Sequence, residues 1–394
     1  MAVSSEHLNS STHPNPPAAS RRSGAAWRRL LAVALFLTFD LIMFGAFVRV
    51  TDAGLGCPDW PGCYGKATPL GALENIRTEA AERPDGPVTV FKAWVEMLHR
   101  YIAAVLGLIV IALVILARRT VSRAGVSRAK PVSATARAPL PSVALAWFTL
   151  AWILMQGAFG ALTVTMKLQP AIVTLHLLGG MGLFALLVAQ WARTDAPVPA
   201  LPGEAARARQ LAPLALGALA LLWVQIALGG WVSTNYATLA CRDFPMCQGQ
   251  WWPPADFARG FELWRALGVS GDGRALPFQA LTAIHLTHRC FAFVVFAVLG
   301  LLAWRLQGVA VLRRYGHALA AVLVLQAVTG LTNIFLDWPL AAAVAHTGGA
   351  AALVGLLVVV AFVCRSARVS MDVSAQWPPS SHDDPGVANA RSRA

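Results

Sequence analysis

Four of the chain's nine histidines, His99, His176, His288 and His346, stand inside long apolar runs. His176 lies six residues after Pro170, His346 seven after Pro339, His288 eleven after Pro277 and His99 seven after Lys92. If those residues open helices, each imidazole sits roughly 9–17 Å inside its helix at ~1.5 Å per residue. Two imidazoles facing one another across a four-helix bundle are a standard way to ligate heme iron from both sides. The plainer reading is that each is a polar residue hydrogen-bonding between helices. Four at one depth, two in each half of the chain, favour the ligand reading. A copper or zinc site would need further His or Cys at that level, and only His285 offers itself.

Around the histidines the two halves differ. The first half carries Glu96-Met-Leu-His99-Arg100 and the second His285-Leu-Thr-His288-Arg289. Residues three apart share a helix face, so Glu96 and His285 point toward the same cavities as His99 and His288. A carboxylate inside a bilayer is costly without a role or a partner, and an interfacial Arg or Lys would be the simple partner. Arg100 and Arg289 could neutralise heme propionates, or merely snorkel to the interface. His285 is an alternative axial ligand to His288, which aligns with His99. Asp40 and Arg49 add polarity to the first half without an assigned role. Two C-x5-C pairs, Cys57/Cys63 and Cys241/Cys247, suit disulfides in an oxidising compartment, closing short loops (PDWPG and RDFPM). The pair beside Glu96 could alternatively be redox-active.

The elements that must hold these groups follow from composition. Hydrophobic residues make up 57% of 394 and charged residues only 13%, with a mean hydropathy of +0.57. That is too little charge to cover a soluble protein of this length. The expected fold class is an all-α membrane protein of eight transmembrane helices, at about 30–50, 93–117, 143–166, 171–193, 211–232, 280–304, 318–337 and 340–364. The first run is read as a retained helix, since no small-residue cleavage site follows it. The net charge of +13 could suggest nucleic acid, but the basic residues sit mainly in connections, where they set orientation. Arg21, Arg22, Arg28 and Arg29 precede the first span, and the 2–3, 4–5 and 6–7 connections are also basic. Both termini are therefore expected in the cytoplasm, with 51–92 and 233–279 outside. Residues 1–29 and 365–394 are expected as disordered cytoplasmic tails, and 194–210 as a cytoplasmic linker.

The chain also repeats itself. Gly45 to Cys57 aligns with Gly229 to Cys241 at an offset of 184; His99-Arg100 aligns with His288-Arg289 at 189; Gln156, Gly160 and His176 align with Gln326, Gly330 and His346 at 170. Each half has an even number of spans, so the expectation is two parallel-repeat four-helix bundles, 30–193 and 211–364.

Together the stretch VRVTDAGLGCPDWPGCYG, the E-x-x-H-R at Glu96 to Arg100 and the repeated histidines resemble the heme A synthase family, over about residues 30–364. The resemblance implies a multi-pass protein of the bacterial plasma (inner) membrane. It implies that heme O, the substrate, lies between His99 and His176, and a heme b cofactor between His288 and His346. The C8 methyl of heme O would be oxidised to a formyl group through an alcohol, heme I, with Glu96 as the catalytic carboxylate. Partners would be heme O synthase and cytochrome oxidase assembly factors, with a homo-oligomer also compatible. Two other classes compete. A diheme b-type cytochrome working with quinol would not need Glu96, and a membrane thiol oxidoreductase would not need the four histidines.

Overall fold

The computed structural model describes residues 18–123, 140–194 and 199–369. The helices in chain order are α1 (Ala18–Val50), α2 (Leu73–Glu82), α3 (Val90–Arg123), α4 (Val143–Thr165), α5 (Pro170–Ala192), α6 (Pro202–Gln210), α7 (Ala212–Thr234), α8 (Phe257–Gly260), α9 (Phe278–Gln307), α10 (Arg313–Phe335) and α11 (Leu340–Ser366). Among the described residues eight are long and apolar enough to cross a membrane: α1, α3, α4, α5, α7, α9, α10 and α11. The protein is thus a multi-pass, all-helical membrane protein, with one two-residue parallel pairing, Pro199–Ala200 against Arg368–Val369.

Several boundaries differ from those read in the sequence. The expected N-terminal tail, 1–29, is helical from Ala18, because the Ala/Arg-rich approach favours helix. There Arg28 lies over the Trp191 ring and donates to the Thr194 carbonyl, while Trp27 is buried. The expected linker 194–210 contains α6, whose Pro202 occupies its first turn. The last span runs on to Ser366, two residues into the expected tail. A hydropathy pattern marks where a chain is apolar, and these helices outrun their apolar windows. The basic residues expected in the connection between α3 and α4 at Arg128, Lys130 and Arg137, and most of both tails, lie outside the described residues.

In cross-section α5 and α11 form the centre, touching each other and both α1 and α7. Outside them, α3 and α4 complete one group with α1 and α5, and α9 and α10 complete the other with α7 and α11. Helices approach closely where side chains are small: a Cβ on Gly348 of α11 would come within 3.0 Å of Met43 Sδ on α1. Two hairpins, α4–α5 and α10–α11, turn on pairs of residues with left-handed backbone, Lys167-Leu168 (φ 51° and 58°) and Asp337-Trp338 (53° and 62°). Non-glycine residues seldom adopt that conformation. Gln169 caps α5 by accepting from the Ile172 N–H (2.9 Å).

At the end carrying the long loops the two groups are tied by contacts between residues 184 positions apart, the offset of the sequence alignment there. Arg49 donates to the Ser233 carbonyl at 2.5 Å, and the Tyr236 hydroxyl donates to Asp52 at 2.7 Å. Arg49 also pairs with Asp52 (3.1 Å) and lies 3.8 Å above the Tyr236 ring.

Candidate functional site

Each long loop folds around a six-residue-separated disulfide, Cys57–Cys63 and Cys241–Cys247. In each, an aspartate two residues after the first cysteine organises the turn. Asp59 accepts from the Tyr64 and Gly65 N–H groups (both 2.7 Å), and Asp243 from those of Gln248 and Gly249 (2.7 and 2.8 Å). Burial disfavours ionised Asp243, yet the amides of Gly249 and Gln248, helped by Arg289, hold it below the usual carboxylate range.

The loops are bolted to the helices by the two arginines. Arg100 donates to the carbonyls of Asp59 (2.9 Å), Pro61 (3.3 Å) and Gly62 (2.7 Å). Arg289 donates to those of Asp243 (2.8 Å), Met246 (2.7 Å) and Cys241 (3.1 Å). Both guanidinium groups also border the cavity below. A rigid planar fork satisfies several carbonyls at once, which an ammonium does less well.

Glu96 is buried at 4% exposure. One carboxylate oxygen accepts from the Cys57 N–H at 2.8 Å, and the other pairs with Arg100 at 2.5 Å. The disulfide loop and the carboxylate are therefore one unit. At the matching place in the second half stands His285, also buried.

All four histidines line a single apolar cavity of about 1660 Å³. Single ligand sites usually run to ~300–1,000 Å³. Each imidazole lies edge-on to a glycine of the preceding long helix. A Cβ would come within 3.3 Å of His99 Cε1 from Gly45, 3.3 Å of His176 from Gly160, 2.9 Å of His288 from Gly229 and 3.3 Å of His346 from Gly330. Three of those glycines follow a glutamine by one turn, and the glutamine fixes the histidine. Gln156 Nε2 donates to the His176 carbonyl (2.6 Å) and lies 3.1 Å from its Nδ1. Gln225 Nε2 reaches His288 Nδ1 at 3.1 Å and its carbonyl at 3.2 Å. Gln326, with its nitrogen turned to His346, donates to that carbonyl (3.0 Å), while Thr329 Oγ1 holds His346 Nδ1 at 3.0 Å.

The exception is His99. Four residues before Gly45 stands Leu41, and His99 Nδ1 is buried with no hydrogen-bond partner among the described residues. Its ring instead lies 5.8 Å from that of Phe44.

Of the site residues expected from sequence, the four histidines, Glu96, Arg100 and Arg289 line one cavity, while the four cysteines close the loops and do not border it. The sequence reading missed Gln225 and Thr329 and gave no role to Gln156 or Gln326. A Q-x3-G spacing that occurs three times, each on the long helix preceding the histidine, is the signal that could have found Gln156, Gln225 and Gln326. Asp40 has no hydrogen-bond or ion-pair partner among the described residues, whereas Arg49 bridges the two helix groups. Among the described residues no three His, Cys, Asp or Glu side chains gather to hold a bare metal ion. Paired imidazoles, glycine cradles that a Cβ would fill and a large apolar space fit a planar porphyrin with two axial ligands.

Fold and site together define a class: an eight-span membrane protein with two pairs of half-buried histidines opening on one apolar cavity beneath disulfide-closed loops. Residues 28–358 match the profile described as COX15-CtaA, cytochrome oxidase assembly protein, and the chain belongs to that family. It is similar to the heme A synthase of Shewanella oneidensis, with 39% identity over 84% of this chain and 94% of the relative. The heme A synthases of Sphingopyxis alaskensis (30% identity; 88% of this chain, 94% of the relative) and Rhizorhabdus wittichii (27%; 87% and 94%) are similar as well.

Proposed function

We propose that this chain is a heme A synthase, oxidising the C8 methyl of heme O to a formyl group. The observation that carries the reading is the asymmetry between halves that otherwise match: a fixed, buried carboxylate, Glu96, next to one histidine pair and His285 next to the other. Two equivalent electron carriers would not need it. Residues 30–193 form the substrate half, where His99 and His176 would hold heme O, and 211–364 the cofactor half, where His288 and His346 would hold heme b. Heme b bound there would supply one-electron redox chemistry. The basic connections favour both termini in the cytoplasm, and the bacterial origin of the similar heme A synthases favours the bacterial plasma membrane.

The substrate change balances as methyl plus water giving formyl plus four protons and four electrons, in two oxidations through the alcohol. The protons go to water and the electrons to an external one-electron acceptor. Glu96 accepts the proton of the attacking water or stabilises positive charge developing on the methyl carbon. The Cys57 N–H and Arg100 hold the carboxylate in one orientation, so little reorganisation is needed as charge develops. The apolar cavity walls exclude bulk water. Arg100 and Arg289, at the loop end of the cavity, present positive charge where a porphyrin's propionates would lie.

The test is the heme content of membranes in which the chain is co-expressed with a heme O synthase. Intact protein is expected to yield heme A. Glu96→Ala is expected to lose at least about 100-fold of it, the scale of a missing general base, while heme b is retained. No heme A from the intact chain would overturn the proposal.

A further inference from the structure

On the proposed reading, one half must exchange its porphyrin with the membrane at every turnover and the other must keep it. The walls of the two halves differ in the way this demands. In the first half the cavity reaches the lipid-facing side of α4, where Leu154, Ala158 and Leu162 are all exposed and all line it. The aligned residues of α10, Val324, Val328 and Thr332, do not border the cavity.

Across the seam the contrast lies in side-chain size. On α3 the cavity is lined by Ala104 and Gly107; the aligned positions on α9 are Phe293 and Phe296. A Cβ added at Gly107, or at Gly157 on α4, would meet nothing within 4 Å. Phe293 and Phe296 border the cavity as well, but as bulky rings; Phe293, 56% exposed, stacks on Phe244 of the second disulfide loop at 6.3 Å between centroids, with Arg289 over Phe244 at 5.7 Å. The aligned loop residue in the first half is Trp60, which lines the cavity and is 48% exposed, and the position aligned with Phe293 is an alanine, Ala104. Not every position follows the trend, since Leu154 and Leu162 are larger than Val324 and Thr332. They lie on one face of one helix, however, and the opposite wall is bare.

We propose that the α3–α4 seam is the lateral portal through which a porphyrin substrate passes between the bilayer and the first histidine pair. The matching α9–α10 seam is shut by Phe293 and Phe296, which makes its porphyrin resident. A portal within the bilayer spares so apolar a ligand any passage through water.

The experiment measures transfer of heme O from phospholipid vesicles to the purified, heme b-loaded protein by the change in heme absorbance. A104F/G107F, which copies the closed seam, is expected to slow uptake at least about tenfold, equivalent to ~1.4 kcal/mol of added barrier, with heme b content unchanged. Uptake as fast as in the unaltered protein would overturn the portal. Should that variant fail to retain heme b, A158V/A161L, which copies Val328 and Leu331 on the facing helix, gives the same decision. The reciprocal F293A/F296G is expected to release heme b to apomyoglobin about tenfold faster, and unchanged release would overturn the closed-seam half of the proposal. Uptake is read without turnover. Protein that takes up heme O through this seam but forms no heme A would therefore refute the synthase reading and leave the portal standing.

Discussion

At the residue scale the four histidines are alike in burial and in their glycine cradles, and they differ in what holds Nδ1. Gln156, Gln225 and Thr329 approach that atom on His176, His288 and His346, whereas His99 has Leu41 where His288 has Gln225. Groups that orient a ligating imidazole typically matter about 10–100-fold in metal affinity. Gln225→Leu, which copies Leu41, is therefore expected to weaken heme b retention by roughly 10–100-fold. Titrating the purified variant with heme b and following its absorbance checks this, with Gln225→Glu as a substitution able to restore the contact. Histidines and Glu96 were legible in the sequence because a polar residue in an apolar run declares itself. Their partners were not, because Gln156 and His176 are 20 residues apart and Gln225 and His288 are 63, and only packing brings them together. Likewise the sequence offers the two arginines either heme propionates or the membrane interface, and nothing in it indicates that loop carbonyls also engage them.

At the element scale each disulfide loop acts as a lid fastened to the helix that carries a histidine. Its first-half version goes further, since the Cys57 N–H is itself a hydrogen-bond donor to Glu96. Opening Cys57–Cys63 with a double serine substitution is thus expected to lower heme A formation more than heme b retention, and to cost about 2 kcal/mol of loop stability. Cys241→Ser with Cys247→Ser is expected to do the reverse, loosening the loop that carries Phe244 and is held by Arg289. Heme composition and thermal unfolding of the two variants, side by side, would separate these outcomes. Eight helices were legible because each carries an apolar run of bilayer length. Short α6 was not, since it is polar and is fixed by packing against α11 and the connection before α10, where Glu204 accepts from the Ala310 N–H.

At the scale of the whole molecule the two helix groups meet along α5 and α11 and are locked at the loop end by Arg49, Asp52, Ser233 and Tyr236. A charge-assisted hydrogen bond of this kind is worth ~1.5–3 kcal/mol when partly buried. Replacing Arg49 by leucine is expected to lower the unfolding temperature in detergent by several degrees, at about 2–4 °C per kcal/mol. Both histidine pairs should still accept heme, because neither is contacted by Arg49. Circular dichroism on heating, with heme absorbance recorded in parallel, would show the two effects apart. The seam between α3 and α4 could not be read beforehand. It emerges only when aligned positions of two folded walls are compared for size and exposure.

The lock at the loop end has one more implication. A residue can bond to its own aligned copy only where the axis relating the two passes between them, as at the centre of a two-fold dimer. Two identical first halves meeting there would set arginine against arginine and aspartate against aspartate, and two second halves would set serine against serine and tyrosine against tyrosine. Only unlike halves place a cation over an aromatic ring and a phenol on a carboxylate. Covalent fusion lets each side of the axis diverge, and the divergence makes the halves mutually obligatory: neither can take the other's place, and neither is suited to pair with itself.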